Sequence, residues 1–85
     1  MEHVIEYNLD SLFEEAARLV VETQIAAASL LQENLYIGFN RSNRILTQLE
    51  ETGIVGPKTG AKPREVLVKD ISELEPVIKS ILPRN

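Results

Sequence analysis

Cysteine is absent from this 85-residue chain, and its one histidine, His3, lies close to the N-terminus. The first absence excludes a disulfide scaffold and thiol metal sites, without fixing a compartment. The second leaves neither a convincing general base nor a metal ligand, and no cofactor is expected. Also missing is any apolar run near the ~20 residues needed to span a bilayer, and the N-terminus carries Glu2 and Glu6 where a targeting segment would be basic. No membrane contact and a cytoplasmic location are the resulting expectations. What remains, 44% apolar and 26% charged residues, is the balance of an ordinary folded domain. The length allows one such domain with a small core.

No enzyme chemistry is visible. Gly53-Ile54-Val55-Gly56-Pro57-Lys58-Thr59 has some letters of a phosphate-binding loop, but Pro57 stands where that loop needs glycine before its lysine. The adjacent acids Glu14-Glu15 and Glu50-Glu51 fall on helices, where neighbours point in different directions, as on a solvated surface.

The formal net charge is -4, yet it is unevenly spread. Residues 1 to 35 hold seven acids and one arginine, residues 36 to 64 hold five bases and two acids, and residues 65 to 85 are nearly balanced. A local excess of bases points to a binding face better than the total does, because attraction to phosphate acts over a Debye length of about 8 Å.

Periodicity orders the elements. Ser11 and Glu14 form a capping-box pattern ahead of Leu12, Phe13, Ala16, Ala17, Val20 and Val21, which predicts a helix over residues 11 to 23. Leu30, Leu31 and Leu35 predict a second over 29 to 35, with Ser29 as its N-cap. Gly38 then suits a turn, and a third helix over 39 to 52 closes at Gly53. Its apolar face is Phe39, Ile45, Leu46 and Leu49 with the small Ser42 beside them; Asn40, Arg44 and Thr47 point the other way, flanked by Arg41 and Gln48. Asn and Arg side chains make paired hydrogen bonds to adenine and guanine edges in a major groove. The bland alternative is a solvated face with two ordinary arginines.

Beyond Gly53, Ile54-Val55 and Glu65 to Lys69 read as two strands joined by a turn over Pro57 to Pro63 that carries Lys58 and Lys62, with Arg64 at the strand start. A basic hairpin beside a basic helix suits a winged helix holding the sugar-phosphate backbone next to the groove it reads. The fold class expected is therefore mainly α with a small β-hairpin: a winged helix-turn-helix with a three-helix core and wing. A further stripe, Ile71, Leu74, Val77, Ile78, Ile81 and Leu82, opens with a Ser72/Glu75 capping box and stops at Pro83. It predicts an extra C-terminal helix, packed on its own core or serving as a self-association seam through residues 71 to 82. The organisation expected is an N-terminal arm (1 to 10), a DNA-binding domain (11 to 69) and a helical extension (70 to 85).

The runs L-F-E-E-A-A-R-L-V-V-E-T-Q (12 to 24), A-A-A-S-L-L-Q (26 to 32), I-G-F-N-R-S-N-R-I-L-T-Q-L-E-E-T-G-I-V-G-P (37 to 57) and K-P-R-E-V-L-V (62 to 68) resemble the C-terminal gamma domain of the FtsK/SpoIIIE DNA translocases. The resemblance implies a winged helix that binds double-stranded DNA, recognises short polar G-rich octamers in a bacterial chromosome, and so orients an ATP-driven motor located elsewhere. It also implies contact with a tyrosine recombinase of the XerD type. Its base-reading positions fall on Asn40, Arg41 and Arg44, and its wing arginine on Arg64. The family's usual Ala-Ala between the two arginines is Ser42-Asn43 here, so Asn43 adds a hydrogen-bonding group at the edge of the reading face. The candidate interface is then Asn40, Arg41, Asn43, Arg44, Thr47 and Gln48 on the helix, with Lys58, Lys62 and Arg64 on the wing. Two other readings stand beside it, a free-standing winged-helix transcription regulator and a protein-interaction winged helix, the latter favoured by the acidic first helix.

Overall fold

A computed structural model describes residues 8 to 82. Among them are four helices: α1 (Phe13–Thr23), α2 (Ala28–Leu35), α3 (Phe39–Glu51) and α4 (Ile71–Ile81). Helix α1 packs against each of the other three, and α2 lies along α3. The mainly helical architecture agrees with the periodicity, while His3 and Pro83 fall outside the described residues.

Helix α1 forms because eleven residues without Gly or Pro place Phe13, Ala16, Ala17, Val20 and Val21 on one buried face. The Ser11/Glu14 capping box is not made. The Asp10 carboxylate accepts the Leu12 N–H at 2.9 Å and the Asp10 carbonyl accepts Phe13 N–H, so an Asx turn one residue upstream satisfies these donors. Glu14 turns instead to Arg18 one helical turn on. The same happens at α4, where Asp70 rather than Ser72 is the cap: its carboxylate accepts Glu73 N–H at 2.9 Å and the Ser72 hydroxyl at 2.6 Å. Glu75, freed from capping, reaches across to Arg18.

That ion pair accompanies an apolar contact. Leu74 and Ile78 are buried, and Ile71, Val77, Ile81 and Leu82 pack partly buried against the common core. The C-terminal stripe thus covers the domain's own core.

Helix α2 begins one residue early. Ala26 pairs with Arg64 in an antiparallel bridge, leaving Ala27 extended as the cap, and Ser29 makes no capping bond. The α2–α3 turn takes its left-handed residue at Tyr36 (φ 55°), whereas Gly38 is extended. Along α3, Ser42, Ile45, Leu46 and Leu49 are buried, and the Ser42 hydroxyl donates to the Gly38 carbonyl at 2.9 Å. Phe39, expected on this face, is 60% exposed. It shares the azimuth of Leu46 but sits in the first turn, where the periodicity of the face no longer tells whether a neighbour lies over it. The helix closes at Gly53 (φ 83°) in a Schellman arrangement: Gly53 N–H donates to the Glu50 carbonyl and Ile54 N–H to the Leu49 carbonyl, with Ile54 and Leu49 both buried.

The expected β-hairpin is not seen as regular strands. Among the described residues pairing is limited to isolated bridges, Val55 with Val66, Thr59 with Lys62 and Ala26 with Arg64. Pro57 and Pro63 supply no N–H to a ladder, so pairing stops beside them. The alternation nevertheless holds, with Val66 and Val68 buried and Leu67 exposed.

Candidate nucleic-acid interface

Helix α3 turns its polar side outward because its opposite side fills the core. Asn40, Arg44 and Thr47 are exposed, and Asn43 is half-buried at the edge. The Thr47 hydroxyl donates back to the Asn43 carbonyl at 3.1 Å, so its oxygen remains open to a further donor. Arg44 takes part in no hydrogen bond or ion pair among the described residues and feels Asp10 only through the longer-range field. Lys58 and Lys62 are exposed too, and with Phe39, Asn43 and Arg64 they line an open groove between α3 and the loop.

The other predicted residues are engaged. Arg41 grips Asp10 with two hydrogen bonds, Nε to Oδ2 at 2.9 Å and Nη2 to Oδ1 at 2.8 Å. Gln48 Oε1 accepts the Asp10 backbone N–H at 3.0 Å. Arg64 is mostly buried; its Nη1 donates to Glu50 at 2.6 Å and to the Gly56 carbonyl at 3.2 Å, tying the loop to the last turn of α3. The structure therefore puts Asn40, Asn43, Arg44 and Thr47 on the outward side of α3, with Lys58 and Lys62 lining a groove shared with Asn43, while Arg41, Gln48 and Arg64 also serve as ties within the fold.

Sequence reasoning missed Asp10. It lies 31 residues from Arg41, and no local pattern announces the pairing. Missed as well were the outward rings of Tyr36, 91% exposed, and Phe39, which flank the start of α3.

The guanidinium of Arg41, donating to Asp10, holds that carboxyl below the ordinary carboxylate range and outweighs burial, which pushes it up. Since the folded value is depressed, Asp10's contribution to stability is complete above the ordinary range and is lost as pH falls through the folded value. Thermal unfolding between about pH 6 and pH 3 should show the wild type losing stability along this limb, and Asp10→Asn should flatten its lower part.

Among the described residues, no group of three or more His, Asp or Glu is placed to hold a metal ion, and no helix is long and apolar enough to cross a membrane.

These features define a class: a small, mainly helical domain whose positive charge is gathered on one helix face and the loop beside it. The chain belongs to the FtsK gamma domain family, whose match covers residues 7 to 69. It is 54% identical over 72 residues to the DNA translocase FtsK of Chlorobaculum tepidum, covering 85% of this chain and 9% of that protein. Over 58 residues it is 57% identical to the DNA translocase FtsK of Streptococcus pyogenes, covering 68% of this chain and 7% of the relative. With the DNA translocase FtsK of Bacillus cereus it shares 47% identity over 64 residues, 75% of this chain and 8% of that protein. The chain thus spans less than a tenth of the length of these curated relatives.

Proposed function

We propose that this chain is a winged-helix DNA reader with a reduced wing, which binds double-stranded DNA with α3 in the major groove and the loop over residues 57 to 64 along the backbone. In this reading it recognises short, polar, G-rich sequences and so directs a translocase motor carried by another domain. The carrying observation is the outward face of α3: Asn40 and Arg44 are exposed, Arg44 has no hydrogen bond or ion pair among the described residues, and the exposed Lys58 and Lys62 line a groove with Asn43. Residues 11 to 69 would form the binding unit, with 70 to 82 as its packed extension. A recombinase of the XerD type, if bound at the same time as DNA, would need a surface away from α3.

The dimeric-regulator alternative is less well supported, because Leu74 and Ile78, the centre of its seam, are buried within the chain's own fold. The test is a gel-shift series at fixed, stated salt comparing a duplex that carries a G-rich polar octamer with its scramble. Tighter binding to the octamer is expected; equal binding would remove sequence reading, and no binding at low salt would favour the protein-interaction reading. Lys58→Ala should weaken both duplexes alike and reduce the salt slope by about 1, as loss of one phosphate contact does.

A further inference from the structure

An aspartate beside phosphate is electrostatically unfavourable, yet Asp10 sits against the basic face of α3 and occupies one of its arginines. The way it does so leaves that arginine usable. Asp10 takes the side edge of the Arg41 guanidinium, the Nε–H and one Nη2–H, which leaves both hydrogens of Nη1 and the second of Nη2. Nη1 and Nη2 together make the end-on fork that matches the two acceptors of a guanine edge. Among the described residues the only other contact of Nη2 is a long one, 3.4 Å to the Ser11 hydroxyl, which yields readily. Asp10 itself is fixed from two further sides, its N–H by Gln48 and its carboxylate by the Leu12 N–H, and its side chain is only 11% exposed.

We propose that Asp10 is a specificity-determining positioning residue: seated on Gln48, it clamps the side edge of Arg41 and holds the end-on fork toward the DNA. This rests on the DNA-reading function above. Two roles follow for residues first grouped as readers. Arg41 is a presented donor whose orientation is set before binding, and Gln48 acts through Asp10. A pre-oriented fork spares the ordering of a long side chain on binding and favours the base that accepts two hydrogen bonds in that one geometry. Arg44, without such a clamp among the described residues, is free to adapt.

The experiment compares wild type, Asp10→Asn, Arg41→Lys and the double variant on the octamer and scrambled duplexes at one salt concentration. Asp10→Asn should cut the octamer-to-scramble ratio by about 3- to 10-fold while scramble binding stays equal or tightens, since a negative charge has left the phosphate-facing side. In the Arg41→Lys background the same change should cost no further discrimination. An equal loss on both duplexes, or a full further loss in the double variant, would show a merely structural role and overturn the proposal. If Asp10→Asn does not fold, Gln48→Ala, which unseats Asp10 and leaves the Arg41 fork intact, must lower the octamer-to-scramble ratio, and an unchanged ratio would overturn the proposal. Independently of DNA, the Arg41 Nε–H resonance of the wild-type chain should exchange with solvent more slowly than that of Arg44; equal exchange would overturn the clamp itself. A wild type without octamer preference would overturn the reading function, and this role with it, even where slow exchange shows the clamp to be formed.

Discussion

Phe13→Ala is expected to lower the unfolding free energy by about 3 to 5 kcal/mol, the cost of emptying an aromatic site in a packed core. Phe13 is 1% exposed, opens α1, and belongs to the same core cluster as residues of α2, α3 and α4. The chain holds no tryptophan and only two phenylalanines, and the other, Phe39, lies at the surface. Most of the remaining buried side chains are Ala, Val, Leu and Ile. The branched ones have few rotamers with which to collapse into the vacated space, and the alanines have none. A domain of this size has a total stability toward the low end of the usual range of about 5 to 15 kcal/mol, so the variant should be substantially unfolded at 37 °C. Urea denaturation checks this through a large fall in midpoint with little change in slope. A loss below about 1 kcal/mol would mean that Phe13 does not anchor the junction of the helices.

The helices were legible because each rests on a repeat that the sequence carries within ten or so residues. The N-caps of α1 and α4 were not, for one reason seen twice. In both Asp10-Ser11-x-x-Glu14 and Asp70-x-Ser72-x-x-Glu75 the serine and glutamate fit a capping box, but an upstream aspartate reaches the backbone donors first. The two glutamates then converge on Arg18, whose guanidinium is held more firmly charged by Glu75 and Glu14. The convergence depends on α4 lying against α1, a tertiary fact that no local pattern contains. The hairpin was over-read: alternating Val66 and Val68 correctly gave the buried side, but burial alternation does not require a ladder, and Pro57 and Pro63 limit one. Within the candidate interface, residue types and the outward face of α3 could be read from spacing. Which arginines are free could not, because Asp10 and Glu50 reach Arg41 and Arg64 across 31 and 14 residues.

Arg44→Ala should separate recognition from stability more cleanly than any other change on this face. Arg41 and Arg64 each hold a carboxylate, so removing either strands a partner, and Asp10 is largely buried. Arg44 holds nothing among the described residues and lies in the middle of α3 on its solvated side, where alanine is at least as good a helix former. The variant's stability should therefore stay within about 0.5 kcal/mol of wild type. Its affinity for the G-rich octamer should fall by about 1 to 3 kcal/mol, the worth of one good paired base contact, and the octamer-to-scramble ratio should shrink with it. Gel shifts at a single salt concentration measure both quantities, and thermal unfolding supplies the control. An equal loss on octamer and scramble would reassign Arg44 to a phosphate. Unchanged affinity on both would take Arg44 out of the interface and leave base reading on α3 to Asn40 and the Arg41 fork.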